Sequence, residues 1–259
     1  MFRKRPDHVF LAHLAALLAF GFVMLTSASG PLAFQKFDDP YWFVKHQLLY
    51  GLLPGAILFF ALANIDYRRW RHLGPQLLAA SVVLLLLVFI PGVGAEWGTS
   101  KSWISIGGYS FQPVEIVKLL FLLYLAALLE RRGEEGVGDV RTGLMPFLTA
   151  LGAVAVLLML QPDLGSFIVI AAIAFIVYFI AGAPWLHITG IVAAAVAAIA
   201  FLIKSAPYRA ARLMTFLHPE LDPQGVGYHI NQAFLAIGSG GWFGLGLGHS
   251  RQKHLYLPE

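Results

Sequence analysis

The sequence predicts an all-α polytopic membrane protein. Three observations carry that expectation. Of 259 residues, 58% are hydrophobic and only 12% charged. The mean hydropathy is +0.73. Apolar runs near the length of a bilayer crossing recur along the chain. Soluble domains average about 25% charged residues and need polar side chains to cover their exterior. The composition therefore excludes a cytosolic globular enzyme, a disordered chain and a disulfide scaffold. With no cysteine there is no thiolate nucleophile and no cysteine metal site. The formal charge of +4 is modest, and in a membrane protein the position of charges says more than their sum.

The first apolar run, Val9 to Leu25, follows Arg3, Lys4 and Arg5. It is longer than a signal-peptide core and further runs follow, so it reads as a retained span. The second covers 46–63 and the third 73–90. The fourth starts after Pro113 and covers 114–129. The remaining runs are 144–160, 164–181 and 185–203, which makes seven. Residues 1–204 are expected as a transmembrane bundle and 205–259, mixed, polar and glycine-rich, as a long extracytoplasmic loop. Orientation follows from basic residues in short loops. With the N-terminus in the cytoplasm, the inside holds Arg3, Lys4, Arg5, Arg68, Arg69, Arg71, Arg131, Arg132 and Arg141. The short outside loops hold Lys36, Lys45 and Lys101. The segment Glu130 to Asp139 reads as a solvated cytoplasmic turn.

Four constellations stand out. In Ser110-Phe-Gln-Pro-Val-Glu-Ile-Val-Lys118, Pro113 suits the first helical position. Glu115 lies in the first turn, where the helix dipole favours a carboxylate, and Lys118 three residues on shares its face. The pair reads either as a helix start with a snorkelling lysine or as charged groups lining an outward-facing cavity, because ionisable residues at membrane depth usually serve a function. In Gln161-Pro-Asp-Leu-Gly165, Asp163 either caps the following helix or joins Lys118 in that cavity. We expect Lys118 and Asp163 to pair, with Glu115 close by. The segment Gly98 to Gly107 contains Lys101 and Trp103, the latter at a depth that suits an interfacial anchor. Glycines crowd 238–248, but a dinucleotide fingerprint needs a strand before and a helix after, so no nucleotide site is read there. The nine histidines lack metal-ligand spacing, and no metal site is expected. His13, inside the first run, reads as a packed polar residue.

Together these stretches resemble one family, the SEDS proteins of bacterial shape, elongation, division and sporulation, which include FtsW and RodA. Arg5-Pro-Asp-His-Val-Phe10 and Val23-Met-Leu-Thr-Ser-Ala-Ser29 resemble its first span. Ser102-Trp-Ile104, Phe111-Gln-Pro-Val-Glu-Ile-Val-Lys118 and Gln161-Pro-Asp-Leu-Gly165 are similar to hallmark blocks. Tyr228-His-Ile-Asn-Gln-Ala233, Ala236-Ile-Gly-Ser-Gly-Gly241 and Gly246-Leu-Gly-His-Ser-Arg-Gln-Lys253 with Leu257-Pro-Glu259 complete an ordered set. Ser250-Arg-Gln-Lys253 and Tyr256-Leu-Pro-Glu259 lean toward the FtsW branch. Ser102 stands where the family often has arginine, and Val114 where serine or alanine is usual.

The resemblance implies about ten spans and a peptidoglycan glycosyltransferase that polymerises lipid II, a disaccharide peptide on an undecaprenyl pyrophosphate, during cell division. It also implies a catalytic aspartate shortly beyond Glu259, so the chain reads as a C-terminally truncated fragment and no catalytic residue is assigned within it. A sugar hydroxyl that attacks an anomeric carbon needs a base, and a pyrophosphate leaving group needs facing cations. Lys118, Lys101, Arg251 and Lys253 suit the second role by location. Glu115, Asp163, Gln112, Trp103, Gln252 and Glu259 are the further candidates for shaping the cavity or binding substrate. Expected partners are lipid II, a single-span class B penicillin-binding transpeptidase and the division or elongation machinery, with no nucleic acid and no cofactor. The expected location is the bacterial cytoplasmic membrane. Two other classes remain: a lipid II transporter, although no inverted repeat is seen, and a non-catalytic scaffold for the transpeptidase.

Overall fold

The computed structural model describes residues 6–97, 100–106, 109–204, 214–215, 218, 225, 227–246 and 248–250. The chain divides into two compact units, residues 1–64 with 199–259, and residues 65–198. The molecule is mostly helical, as its composition requires.

In the first unit, α1 (His8–Phe37) opens on Asp7, whose carboxylate accepts from the backbone N–H groups of Val9 and Phe10. That cap satisfies two of the orphan donors at a helix start. The helix runs twelve residues past the apolar run that marks it in the sequence, because Thr26 and Ser29 turn their hydroxyls onto the carbonyls of Phe22 and Leu25, each at 2.7 Å. Polar side chains that satisfy themselves on their own helix do not end it. His13 does the same, with Nδ1 2.7 Å from the Val9 carbonyl. Asp38, in the left-handed region at φ 54°, closes α1. The next helix, α2 (Trp42–Ala63), contains a π-helical turn at Gln47–Leu52. Phe37 stacks on Trp42 at 3.9 Å, and Trp42 on His46 at 4.9 Å. This aromatic ladder lies at the α1–α2 turn, as an interfacial belt does. Within the segment expected as a long extracytoplasmic loop lies a helix, here α8 (Tyr228–Gly240). Just after it, the Gly248 N–H donates to the Ser27 hydroxyl of α1 at 3.2 Å.

In the second unit, α3 (Tyr67–Leu87) begins as a 3-10 turn capped by Asp66. A three-stranded antiparallel sheet follows, with β1 (Gly94–Trp97), β2 (Ser100–Ile106) and β3 (Tyr109–Phe111) in that order. Gly94 faces Ile104, and Ile104 faces Phe111. A side chain on Gly94 would overlap the Val88 carbonyl, so only glycine lets the sheet close against the end of α3. Next come α4 (Pro113–Gly138), α5 (Val140–Leu160), α6 (Leu164–Ile180) and α7 (Trp185–Lys204), the last of which belongs to this unit as far as residue 198. Within α4, Gly133 at φ 64°, ψ 178° breaks the helical path. The region read as a solvated turn is thus a kinked helix end that buries Val137.

The core of this unit is a stripe on α4, Val114, Val117, Phe121 and Leu125, packed against Leu85, Val154, Leu158, Ile170 and Ala174. The three- and four-residue spacing puts the stripe on one face of α4. Outward-facing side chains such as Ile116, Leu119, Val156, Ile168 and Ile176 are apolar and exposed. A soluble protein would not leave such faces bare; a lipid-facing bundle does.

The candidate site at the hairpin end of the second unit

Four helix ends meet beside the sheet: the C-terminal ends of α3 and α5 and the N-terminal ends of α4 and α6. Pro113 and Val114 start α4 buried. One turn on, Lys118 Nζ lies 2.6 Å from a Glu115 carboxylate oxygen. The lysine side chain is 25% exposed and the glutamate 59%, so the ammonium sits deeper than its counter-ion.

Asp163 is the N-cap of α6. Its Oδ1 accepts from the Ser166 backbone N–H at 3.0 Å, and Oδ2 accepts from the Ser166 hydroxyl at 2.7 Å. Oδ2 also accepts from the Gln112 amide at 2.9 Å. The same amide nitrogen lies 3.5 Å from the hydroxyl of Ser102, a buried residue on β2. The chain Ser102–Gln112–Asp163–Ser166 therefore joins the sheet, the start of α4 and the start of α6. A carboxylate that accepts three such bonds is held as an acceptor in one orientation.

The expectation that Lys118 pairs with Asp163 needs correction. Among the described residues no salt bridge joins them. Lys118 takes Glu115, which is nearer on its own helix, while the cap geometry of α6 turns Asp163 toward Ser166 and Gln112. Ser166 and Gln161 have site roles that the sequence reading did not assign. The Gln161 side chain is buried and its amide donates to the Leu85 carbonyl at 2.8 Å. It thereby satisfies a carbonyl near the end of α3, where helical partners run out. The signal for Ser166 lies in the N-cap pattern, since an N-cap Asp accepts from the backbone N–H three positions on, and a hydroxyl there can donate to the same carboxylate. Lys101, exposed, and Trp103, half-buried, flank Ser102 on β2. Arg251, Gln252, Lys253 and Glu259 lie outside the described residues. No group of three or more histidine or acidic side chains among the described residues is placed to hold a metal.

The opposite end of this unit is basic. Arg71 pairs with Glu130 at 3.2 Å, and Arg131 donates to the Arg71 carbonyl at 2.6 Å. Among the described residues four helices are long and apolar enough to cross a membrane. Together with the exposed apolar faces they define a multi-pass membrane protein with a charged collar at one end of its second unit and a polar, cation-bearing cluster at the other.

The chain belongs to the family of cell cycle proteins that comprises FtsW, RodA and SpoVE; the family model matches residues 7–259. It is 39% identical over 257 residues to the stage V sporulation protein E of Bacillus subtilis, covering 99% of this chain and 70% of that protein. It is 38% identical over 256 residues to the probable peptidoglycan glycosyltransferase FtsW of Geobacter metallireducens, covering 99% and 68%. Among solved structures, a chain of a peptidoglycan synthase complex that coordinates polymerization and crosslinking superposes with a TM-score of 0.72 at 34% identity, over 92% of this chain and 67% of that one. The chain thus spans about two thirds of the length of these relatives.

Proposed function

We propose that this protein is a peptidoglycan glycosyltransferase that polymerises lipid II at the outer face of the bacterial cytoplasmic membrane, with a class B penicillin-binding transpeptidase as partner. The observation that carries the reading is the polar cluster at the hairpin end, in a chain whose relatives include proteins named peptidoglycan glycosyltransferase. Lys118 supplies a partly buried cation for a pyrophosphate leaving group. Charge placed in advance where charge develops is a large source of rate. Asp163, held by Gln112 and Ser166, ties the start of α6 to the start of the helix that carries Lys118. A site between helix ends also lets an isoprenoid tail stay in lipid while its head meets the polar cluster.

In this reading the basic collar faces the cytoplasm with the N-terminus, and the hairpin end and residues 205–259 face outward. The division role rests on likeness to the FtsW branch. The test is to incubate the purified full-length protein and its partner with lipid II in detergent and resolve glycan strands on a gel. Strands are expected. If none form while sealed vesicles carrying the protein scramble lipid II between leaflets, the transporter reading replaces this one.

A further inference from the structure

A second feature lies at the basic end of the second unit. Between α3, α4 and α5 there is a cleft of about 430 Å³, lined among others by Leu78, Tyr124, Met145, Pro146 and Ala153, with Arg141 at its mouth. Its walls are mostly apolar, and Thr149, the Tyr124 ring and Arg141 are the polar side chains in its lining. Arg141 is exposed, and among the described residues its guanidinium makes no hydrogen bond or salt bridge. The neighbouring Asp139 directs its carboxylate to the backbone N–H groups of Arg141 and Thr142 and to the Thr142 hydroxyl. Arg132 lies within electrostatic reach of the Tyr124 hydroxyl. One arginine, Arg141, thus stands at the rim of a largely apolar slot on the side of a membrane bundle, with the charge of Arg132 reaching Tyr124 in its lining.

We propose that this cleft is a binding site for an anionic phospholipid of the cytoplasmic leaflet, with one acyl chain in the slot and the phosphate on Arg141. The leaflet rests on the orientation proposed above; the lipid chemistry does not. An apolar slot alone would take any lipid chain. The Arg141 guanidinium, which makes no hydrogen bond or salt bridge among the described residues, selects the anionic headgroup, because arginine meets phosphate with two parallel donors. Basic pockets between spans on the cytoplasmic side are a recurrent form of such recognition. Arginine at this rim thus does more than set topology.

The test is native mass spectrometry of the full-length protein in detergent with added phosphatidylglycerol or phosphatidylcholine of the same chains. Wild type is expected to retain phosphatidylglycerol preferentially. Arg141→Gln should cut that preference about fivefold, the worth of roughly one basic residue at a lipid surface. Ala153→Phe, which fills the slot from an exposed position, should lower retention of both lipids at an unchanged melting temperature. Soluble glycerophosphate should not compete, since it has no chain for the slot. Equal retention of the two lipids by wild type, or a preference that survives Arg141→Gln, would overturn the proposal. Thr142→Cys labelling of sealed vesicles tests the leaflet separately. Label from outside would remove the orientation and leave the lipid result standing.

Discussion

At the scale of single residues, the hairpin-end cluster is a set of hydrogen bonds with unequal consequences. Gln161 is buried, so its loss leaves the Leu85 carbonyl unsatisfied in an apolar setting. An orphaned buried acceptor costs about 1–3 kcal/mol. Gln161→Leu should therefore lower the melting temperature in detergent, whereas Glu115→Gln, at a more exposed position, should barely move it. For Asp163 the two truncations should separate. Asp163→Asn keeps a capping oxygen, while Asp163→Ala removes the cap and costs about 1 kcal/mol; thermal unfolding of the two variants checks the order. Asp139, in the loop between α4 and α5, offers a pH test. Its carboxyl is held below the ordinary 3.8 chiefly by the Thr142 backbone N–H, then by the Thr142 hydroxyl and the Arg141 backbone and charge. A carboxyl with a depressed folded value contributes stability that is complete above its unfolded value and is lost as pH falls through the folded one. Exchange of the Arg141 and Thr142 amides should thus accelerate only below about pH 3.8, and Asp139→Asn should abolish that pH step.

At the scale of elements, the sequence was most legible where one physical rule acts alone. The apolar runs mark helices because length and hydropathy are enough. Glu115 and Lys118 meet because three residues put them on one face of α4. The reading failed where two rules compete. The sheet of β1 to β3 was missed because its strands are short and polar, although the Gly107-Gly108 pair between two strand-forming stretches is a hairpin signal. The Lys118–Asp163 pair was expected from charge and depth, and local geometry overrode both: a lysine with a carboxylate one turn away has no need of a distant one. The kink of α4 was read as a loop because Glu134 and Glu135 look solvated, while Val137 beneath them is buried. That kink depends on Gly133, whose φ and ψ lie in a region open essentially to glycine alone. Gly133→Ala should cost about 1–3 kcal/mol and loosen the α4–α5 connection, with faster amide exchange over 134–144 as the readout. Gly143, which packs against the Val137 carbonyl with no room for a side chain, should show the same regional effect when changed to alanine.

At the scale of the molecule, the two ends of the second unit divide the work: arginines gather at one, and a single deep lysine with two ordered carboxylates at the other. The absence of cysteine makes the orientation directly testable. A cysteine at Ser250 should react with an impermeant reagent from outside intact cells, and one at Arg69 only after the membrane is opened. The central claim is that the hairpin-end cluster serves the polymerisation of lipid II, and one comparison tests it most directly. The full-length protein and its Lys118→Ala variant, matched in melting temperature and each bound to the partner transpeptidase, are given purified lipid II, and glycan strands are followed with time. Removing a cation that faces the leaving group should slow strand formation by about 10²-fold without dissociating the complex. Strand formation at the wild-type rate by the folded variant would contradict the account and move the chemistry away from this end of the molecule.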